Sequence, residues 1–296
     1  MKSMFYFIPF IIIFASVLFS AVPATAAPWQ GEPTRLDVLV AEIQSFVAEE
    51  REKYSANEGF LKTVEDAANL MKDTCERDYS KFLETLEEFA QEAGNEQTME
   101  PNTLERFYNI FKTDLMLRCP LDMVLIEGTY CIDRHEYPGA EGESPLGGVL
   151  WSEAGEKCEV AGKRLCTEKE WFRACSGPPC VENSFPESFN SGECGATFAF
   201  EPPKGEWKIK DREQCMSIYG VDDLAGGIWE WVADEYRVGL RILRSGALPN
   251  ESQPSCDKSS WLSPDVREPY AGFRCCAQPV IAIPQEGKET QVGITN

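Results

Sequence analysis

Histidine is almost missing from this chain: His135 is the only one in 296 residues. Positive charge is also scarce, with 28 Lys and Arg against 49 Asp and Glu and a formal net charge of −21. That balance excludes nucleic acid and anionic membrane surfaces as partners. No two cysteines are spaced as a CxxC pair, so with a single imidazole the usual zinc frameworks cannot be built. Ser245 and Ser255 have no histidine in their own blocks, which leaves no nucleophile with a base. A general acid or base role for Asp222, Asp234 or Glu235 finds no support in spacing. Beyond residue 26 no stretch approaches the length of a membrane span.

Cysteine, by contrast, is abundant. All 12 lie beyond an N-terminal segment in which Lys2 supplies a positive charge, Met4 to Phe19 is almost wholly apolar and Ala24-Thr25-Ala26 forms a small-residue cleavage site. Residues 1–26 therefore read as a secretory signal peptide, the alternative being an uncleaved anchor for which the apolar run is slightly short. No cysteine stands at the cleavage site, which argues against lipidation there. The expectation is an exported protein, periplasmic or secreted, with no membrane insertion after signal cleavage and with cysteines held as disulfides rather than thiols.

The first mature region, 34–118, carries helical periodicity. Leu36, Leu39, Val40, Ile43 and Val47 recur at helical spacing, and a longer run from Phe60 through Val64, Ala68, Met71, Cys75, Tyr79, Phe82, Leu86 and Phe89 does the same. The long run should end near Gly94-Asn95, and a further helix should start after Pro101 with Leu104, Phe107, Phe111 and Leu115 inward. The expectation is a three-helix bundle, or a hairpin with an added helix. Mixed charges on its outer faces read as solvated surface. Cys75 and Cys119 could staple this region to itself or to the chain beyond it.

Composition changes at Cys119-Pro120, where prolines, glycines and tryptophans become frequent. From there to residue 278 the chain reads as a second, loop-rich domain, so the fold class is α+β. Met123 to Ile126 and Tyr130 to Asp133 are two short strands around Gly128. Ser152 is expected to cap a short helix closed by Gly162, and Thr167 with Glu170 makes a capping box for a second that buries Trp171, Ala174 and Cys175. Ser176 to Ile218 is too poor in regular structure to be stable alone, so cysteines and a metal are expected to hold it. The polar tail, 279–296, shows no periodicity and reads as disordered.

One stretch, YGVDDLAGGIWEW from Tyr219 to Trp231, concentrates oxygen ligands. Asp222, Asp223 and Glu230 supply carboxylates, and Gly226-Gly227 lets the main chain fold its carbonyls inward, as a calcium site requires. The competing reading is a core WEW strand after a solvated acidic turn. Spacing leaves both open.

The runs MVLIEGTYCIDRHEYP, VLWSEAGEKCEVAGKRLCTEKEWFRAC, YGVDDLAGGIWEWVAD, RILRSGA and AGFRCC, in this order between Leu121 and Ala277, resemble the successive signature blocks of the sulfatase-modifying factor family, which includes the formylglycine-generating enzyme. The helical region lies outside the resemblance. It implies an irregular α+β fold related to C-type lectins, with bound structural calcium taking side-chain oxygens from Asp223 and Glu230 and carbonyls from Gly226 and Ile228. Gly227 stands where the family usually has asparagine, so a side-chain hydrogen bond in that turn is expected to be missing. A second calcium site would need an asparagine where Gly195 stands, with Asn190 close by. The resemblance also implies a Cys158–Cys275 disulfide, and leaves Cys175 to pair with Cys256 or Cys276.

In the family a pair of active-site cysteines binds copper(I) and oxidises a substrate cysteine to formylglycine; two soft thiolates suit that ion. The corresponding interval here, Leu248 to Ala271, holds only Cys256, and Asn250 or a neighbour occupies the first thiolate position. Copper therefore does not carry over, and Cys256 is the one candidate catalytic residue. The family's other branch uses histidine-bound iron, which His135 alone cannot assemble; that residue reads as surface or packing. Two functions are consistent with these residues. In the first, the chain lacks formylglycine-generating activity and is a calcium- and disulfide-stabilised scaffold that binds a protein, peptide or glycan ligand, with Trp207 and Trp261 as contacts to test. The alternative is a protein-modifying oxidase with a copper site rearranged around Cys256, which requires that thiol to be free.

Overall fold

The computed structural model describes residues 35–53, 58–73, 79–96, 99–139, 142–177, 215–224, 227–245 and 256–282. The expected signal peptide, Cys75, Asn190, Gly195, Trp207, Gly226 and Asn250 lie outside them. In chain order the elements are α1 (Arg35–Lys53), α2 (Glu58–Asp73), α3 (Tyr79–Asn95), α4 (Pro101–Leu115), β1 (Leu117–Arg118), β2 (Met123–Ile126), β3 (Tyr130–Asp133) and α5 (Trp151–Val160). They continue with β4 (Arg164–Leu165), α6 (Glu168–Ser176), β5 (Trp229–Arg237), β6 (Leu240–Arg244), β7 (Ser259–Leu262), β8 (Ala271–Gly272), β9 (Cys275–Ala277) and β10 (Val280–Ile281).

The periodic apolar residues of the first region meet in one core. Leu36, Leu39, Ile43 and Val47 of α1, Leu61, Val64 and Ala68 of α2, Phe82, Leu83 and Leu86 of α3, and Phe107 and Phe111 of α4 are all buried together. Phe107 is its aromatic centre, with ring centroids 5.5 Å from Phe46, 5.3 Å from Phe60 and 5.2 Å from Phe111. Pro101 opens α4, where a missing N–H costs nothing. Glu50 is a carboxylate inside this core, and Thr103 Oγ1 at 3.1 Å together with Arg106 satisfies it. Four helices are described where three were expected; the long second run carries α2 and α3, and residues 74–78 between them lie outside the described residues.

The helical region and the loop-rich region touch through the β2–β3 turn. Arg35 of α1 grips both oxygens of buried Asp114 at 2.7 and 2.6 Å, the Tyr79 hydroxyl donates to the same carboxylate, and the Arg35 main-chain N–H reaches Thr129 Oγ1 at 3.2 Å. Leu125 packs against the helical core. Gly128 makes this approach possible: it lies at φ +67°, and a Cβ there would sit 2.5 Å from the Tyr79 ring. Gly128→Ala combines a left-handed strain with an overpacked contact, so it should lower stability by about 2–4 kcal/mol. Urea unfolding of both proteins, followed by far-ultraviolet circular dichroism, measures the loss, and an unchanged midpoint would mean that the turn does not seat the helices.

Among the described residues, two four-stranded sheets and a two-stranded ribbon carry the loop-rich domain. One sheet runs in the order β2-β3-β9-β4 with antiparallel pairing, and the other runs β7-β6-β5-β8 with β8 parallel to β5. The ribbon pairs β1 with β10, Leu117 opposite Ile281 and Arg118 opposite Val280. The chain expected to be a disordered tail from residue 279 thus begins with a strand, and residues 283–296 lie outside the description. The capping box of α6 is present, with Glu170 N–H donating to Thr167 Oγ1 at 3.2 Å and Thr167 N–H to Glu170 Oε2 at 2.8 Å. Ser152 does not cap α5. The helix starts at Trp151 with Leu150 at the N-cap, and Glu153 reaches back to accept the Leu150 N–H at 3.1 Å, the glutamate half of a capping box with no cap side chain opposite it.

Four disulfides join described residues: Cys119–Cys131, Cys158–Cys275, Cys166–Cys276 and Cys175–Cys256. The neighbours Cys275 and Cys276 on β9 point to opposite faces of their sheet, as successive strand residues must. One therefore reaches α5 and the other the segment after β4. Cys119 staples the end of the helical region to β3, which decides between its two expected roles.

Candidate functional site

Residues from four of the signature blocks converge on one buried polar knot. Its centre is the pair Arg274 and Glu230, both about 1 % exposed. Arg274 sits between β8 and β9, and Glu230 is the middle residue of the WEW segment that opens β5. Arg274 Nε donates to Glu230 Oε2 at 2.8 Å and one terminal nitrogen to Oε1 at 2.7 Å, the bidentate arrangement that guanidinium and carboxylate favour. The other donors go to the carbonyls of Asp133 and Arg134, each at 3.2 Å, and of Asp222 at 3.1 Å. All five N–H donors of this guanidinium are thereby used. Trp171 of α6 completes the knot, donating its indole N–H to Glu230 Oε2 at 2.7 Å. Although burial works against the charged form, Glu230 raises the Arg274 pKa further above its ordinary value.

The acidic turn wraps one side of the knot. Asp222 N–H donates to the Arg134 carbonyl and Asp223 N–H to the Cys215 carbonyl, each at 2.9 Å, with Asp223 itself at φ +59°. Both aspartates are buried rather than solvated, and His135 is buried beside Asp222 with Nδ1 3.3 Å from Oδ2. The RHEY segment also contributes Glu136, which spacing did not single out. Its Oε1 accepts the Ile228 N–H at 3.1 Å, so the turn receives a side-chain hydrogen bond from another block. Burial first, then the charges of Glu230 and Asp223, push the Glu136 carboxyl well above the usual carboxylate range.

The knot buries four carboxylates, Glu136, Asp222, Asp223 and Glu230, against one guanidinium and one imidazole, an excess of negative charge even with His135 protonated. Glu136 Oε2 has no hydrogen-bond partner. That donor chemistry fits a hard divalent cation, which takes carboxylate and carbonyl oxygens together. Among the described residues no three acidic, histidine or cysteine side chains could hold a metal ion as a group, so main-chain carbonyls would have to share the work. Of the expected ligands, Asp223, Ile228 and Glu230 border the knot, and Gly226 lies outside the described residues. The Glu230 side chain is more committed than expected, since Arg274 and Trp171 occupy three of its roughly four lone-pair positions. Arg274, Trp171 and Glu136 are the residues that sequence reading missed. The signal for Arg274 was available as a lone charge in an otherwise apolar run, AGFRCC.

Cys256, the candidate catalytic residue, stands elsewhere. It is buried and bonded to Cys175 at the end of α6, and its carbonyl accepts from Arg244. Arg244 lies over the rings of Trp171 and Phe172, 5.5 and 5.3 Å from their centroids, and pairs with Glu168 at 3.1 Å. Among the described residues no cysteine is free. Trp261 on β7 is 44 % exposed and stacks on the half-exposed Tyr236 ring at 4.4 Å, two strands away across the sheet.

Comparison with known proteins agrees with the signature blocks. Residues 75–279 match the model of the sulfatase-modifying factor enzyme 1-like domain, so the match starts within the helical region, earlier than Leu121. The chain is 29% identical over 154 residues to the inactive C-alpha-formylglycine-generating enzyme 2 of Bos taurus, covering 46% of this chain and 50% of that protein. It is 27% identical over 177 residues to the formylglycine-generating enzyme of Mus musculus, covering 45% and 44%. The chain thus spans about half the length of the curated relatives it matches. Among solved structures it is similar to PvdO from Pseudomonas aeruginosa, at 16% identity and a TM-score of 0.36 over 59% of this chain and 76% of that one. The family match spans more than half of the sequence and includes every block that builds the knot, and on that ground this chain belongs to the sulfatase-modifying factor family.

Proposed function

We propose that this chain is an exported member of the family that does not generate formylglycine and acts as a calcium- and disulfide-stabilised scaffold, presenting a loop surface to a protein, peptide or glycan ligand. The observation that carries the reading is the Cys175–Cys256 disulfide. Copper(I) needs thiolates, and the only cysteine between Leu248 and Ala271 has its sulfur committed to another bond. An oxidase rearranged around Cys256 would need that bond opened. Cys175 and Cys256 are both buried, which keeps external thiols from reaching it.

Four disulfides among the described residues suit an oxidising compartment and support export. No helix among the described residues is long and apolar enough to cross a membrane. The calcium part of the proposal draws on the negative excess of the knot: Asp223, the remaining lone pair of Glu230 and the carbonyls of Gly226 and Ile228 are its ligands. The exposed Tyr236–Trp261 pair is the contact surface to probe first, being apolar, rigid and open to solvent.

The test uses the oxidised, full-length protein with copper(I), oxygen and a cysteine-bearing sulfatase peptide. Mass spectrometry should find the peptide cysteine unchanged and, in a non-reduced digest, the Cys175 and Cys256 peptides linked. Aldehyde formed at enzymatic speed, or Cys256 recovered as a free thiol, would overturn the non-catalytic reading.

A further inference from the structure

A strand at the edge of a sheet presents main-chain donors and acceptors to any other extended chain, so folded proteins pair, cover or blunt it. The two larger sheets have β2, β4, β7 and β8 at their edges. β4 and β8 are two residues long, and β2 packs Leu125 against the helical core. β7 is the exception. Among the described residues its main chain bonds only to β6, so every second residue turns an unpaired N–H and C=O outward. Ser259-Ser260-Trp261-Leu262 also lacks the charge or proline that commonly blunts such an edge.

The side chains add an apolar anchor to this strip. β7 alternates exposed and half-buried residues, with Ser259 and Trp261 on the exposed rank. Trp261 stands opposite Ile242 in the register, and its ring stacks on Tyr236 of β5 at an interplanar angle of 10°. Tyr236 is itself 50 % exposed. Each ring is held by the other, so a ligand that covers them costs little further side-chain ordering.

We infer that β7 is the docking edge of the scaffold, and that its ligand is an extended segment of a partner polypeptide, which adds to the sheet as a further strand and packs an aromatic or β-branched side chain against Trp261. The inference rests on the binding part of the proposed function and narrows its ligand to a polypeptide. Unpaired main-chain groups repeating at strand spacing are matched by another strand, whereas a sugar has no such repeat and a helix has already used its own groups. A second copy of this chain is the wrong occupant. Pairing β7 with itself would join four residues a side, where a stable interface takes about 20–30, and two chains of net charge −21 repel each other. A linear segment needs no flat area of that size, because it can follow the edge and close over the aromatic pair.

The experiment selects random peptides of about eight residues, long enough to overrun β7 at both ends, from a phage library on the oxidised, full-length protein, and titrates the best one as a synthetic peptide by calorimetry. Trp261→Ala, with circular dichroism as the check on folding, should weaken its binding at least about tenfold. N-methylation of the peptide amides one at a time separates strand addition from a plain apolar contact. In the bound stretch every second position should lose about tenfold, and the positions between should lose little. A peptide that binds without this alternation, or that binds Trp261→Ala as well as the native protein, overturns the inference and leaves the scaffold reading standing. Failure to select any peptide overturns it too, and leaves that reading with glycans and folded proteins as ligands; the non-catalytic reading is tested separately by the state of Cys256.

Discussion

Arg274→Met should lower the stability of this protein by about 3–5 kcal/mol, the penalty for removing one partner of a buried ion pair. The loss comes less from the missing attraction than from what stays behind. Glu230 would remain 1 % exposed with only the Trp171 indole to satisfy it, and the carbonyls of Asp133, Arg134 and Asp222 would each lose a donor. Arg274→Lys should recover only a part of this, since an ammonium presents a point charge and cannot span both Glu230 oxygens and three carbonyls. A double-mutant cycle separates attraction from abandonment: Arg274→Met with Glu230→Gln should be more stable than Arg274→Met alone. Urea unfolding at one fixed calcium concentration measures all four proteins. A double mutant no better than the single one would mean that the Glu230 charge is not what makes Arg274 necessary.

The same pair marks how far the sequence could be read. Features that depend on neighbours within one or two turns were legible: the Thr167–Glu170 box of α6 and the β2–β3 hairpin formed where their residues required. The resemblance added the Cys158–Cys275 bridge. Local reading failed at the start of α5, where Leu150 is the N-cap and Glu153 accepts its N–H, two residues before the serine that capping preference picked. The knot itself was only half legible. Glu230 and Asp223 drew notice because they stand together, but Glu136 and Arg274 reach the turn through hydrogen bonds that span 92 and 44 residues of sequence. The exchange of asparagine for Gly227 was visible, yet its consequence was not, because the group that enters the vacated space comes from another block. Gly128 is a parallel case, a turn glycine in sequence and a seat for Tyr79 in the fold.

The second large effect concerns the cross-links, and here the near equality of two losses is the informative quantity. Replacing Cys158 and Cys275 together by alanine should cost about 3 kcal/mol, as should replacing Cys119 and Cys131, on the chain-entropy account of disulfide stabilisation. The first bridge spans 117 residues and the second 12, but Cys166–Cys276 already joins the two segments that the first one ties, so in the oxidised unfolded chain the first closes only the short stretch from 158 to 166. Both bridges are largely buried, so alanine leaves a small void in either case and that contribution nearly cancels in the comparison. What does not cancel is position. Cys275 donates its N–H to Asp133 at 2.9 Å, and Asp133 in turn holds Lys163. Cutting the bridge to α5 therefore loosens β9 beside Arg274, and Cys158→Ala with Cys275→Ala should weaken calcium binding as well as stability. Unfolding midpoints in urea, measured for the two double variants with and without chelator, test both parts. A loss near 5 kcal/mol for the Cys158–Cys275 bridge alone would refute the account in which Cys166–Cys276 already holds that loop closed, and an unchanged calcium-dependent shift after the bridge is cut would show that the cation and the sulfur hold separate parts of the domain.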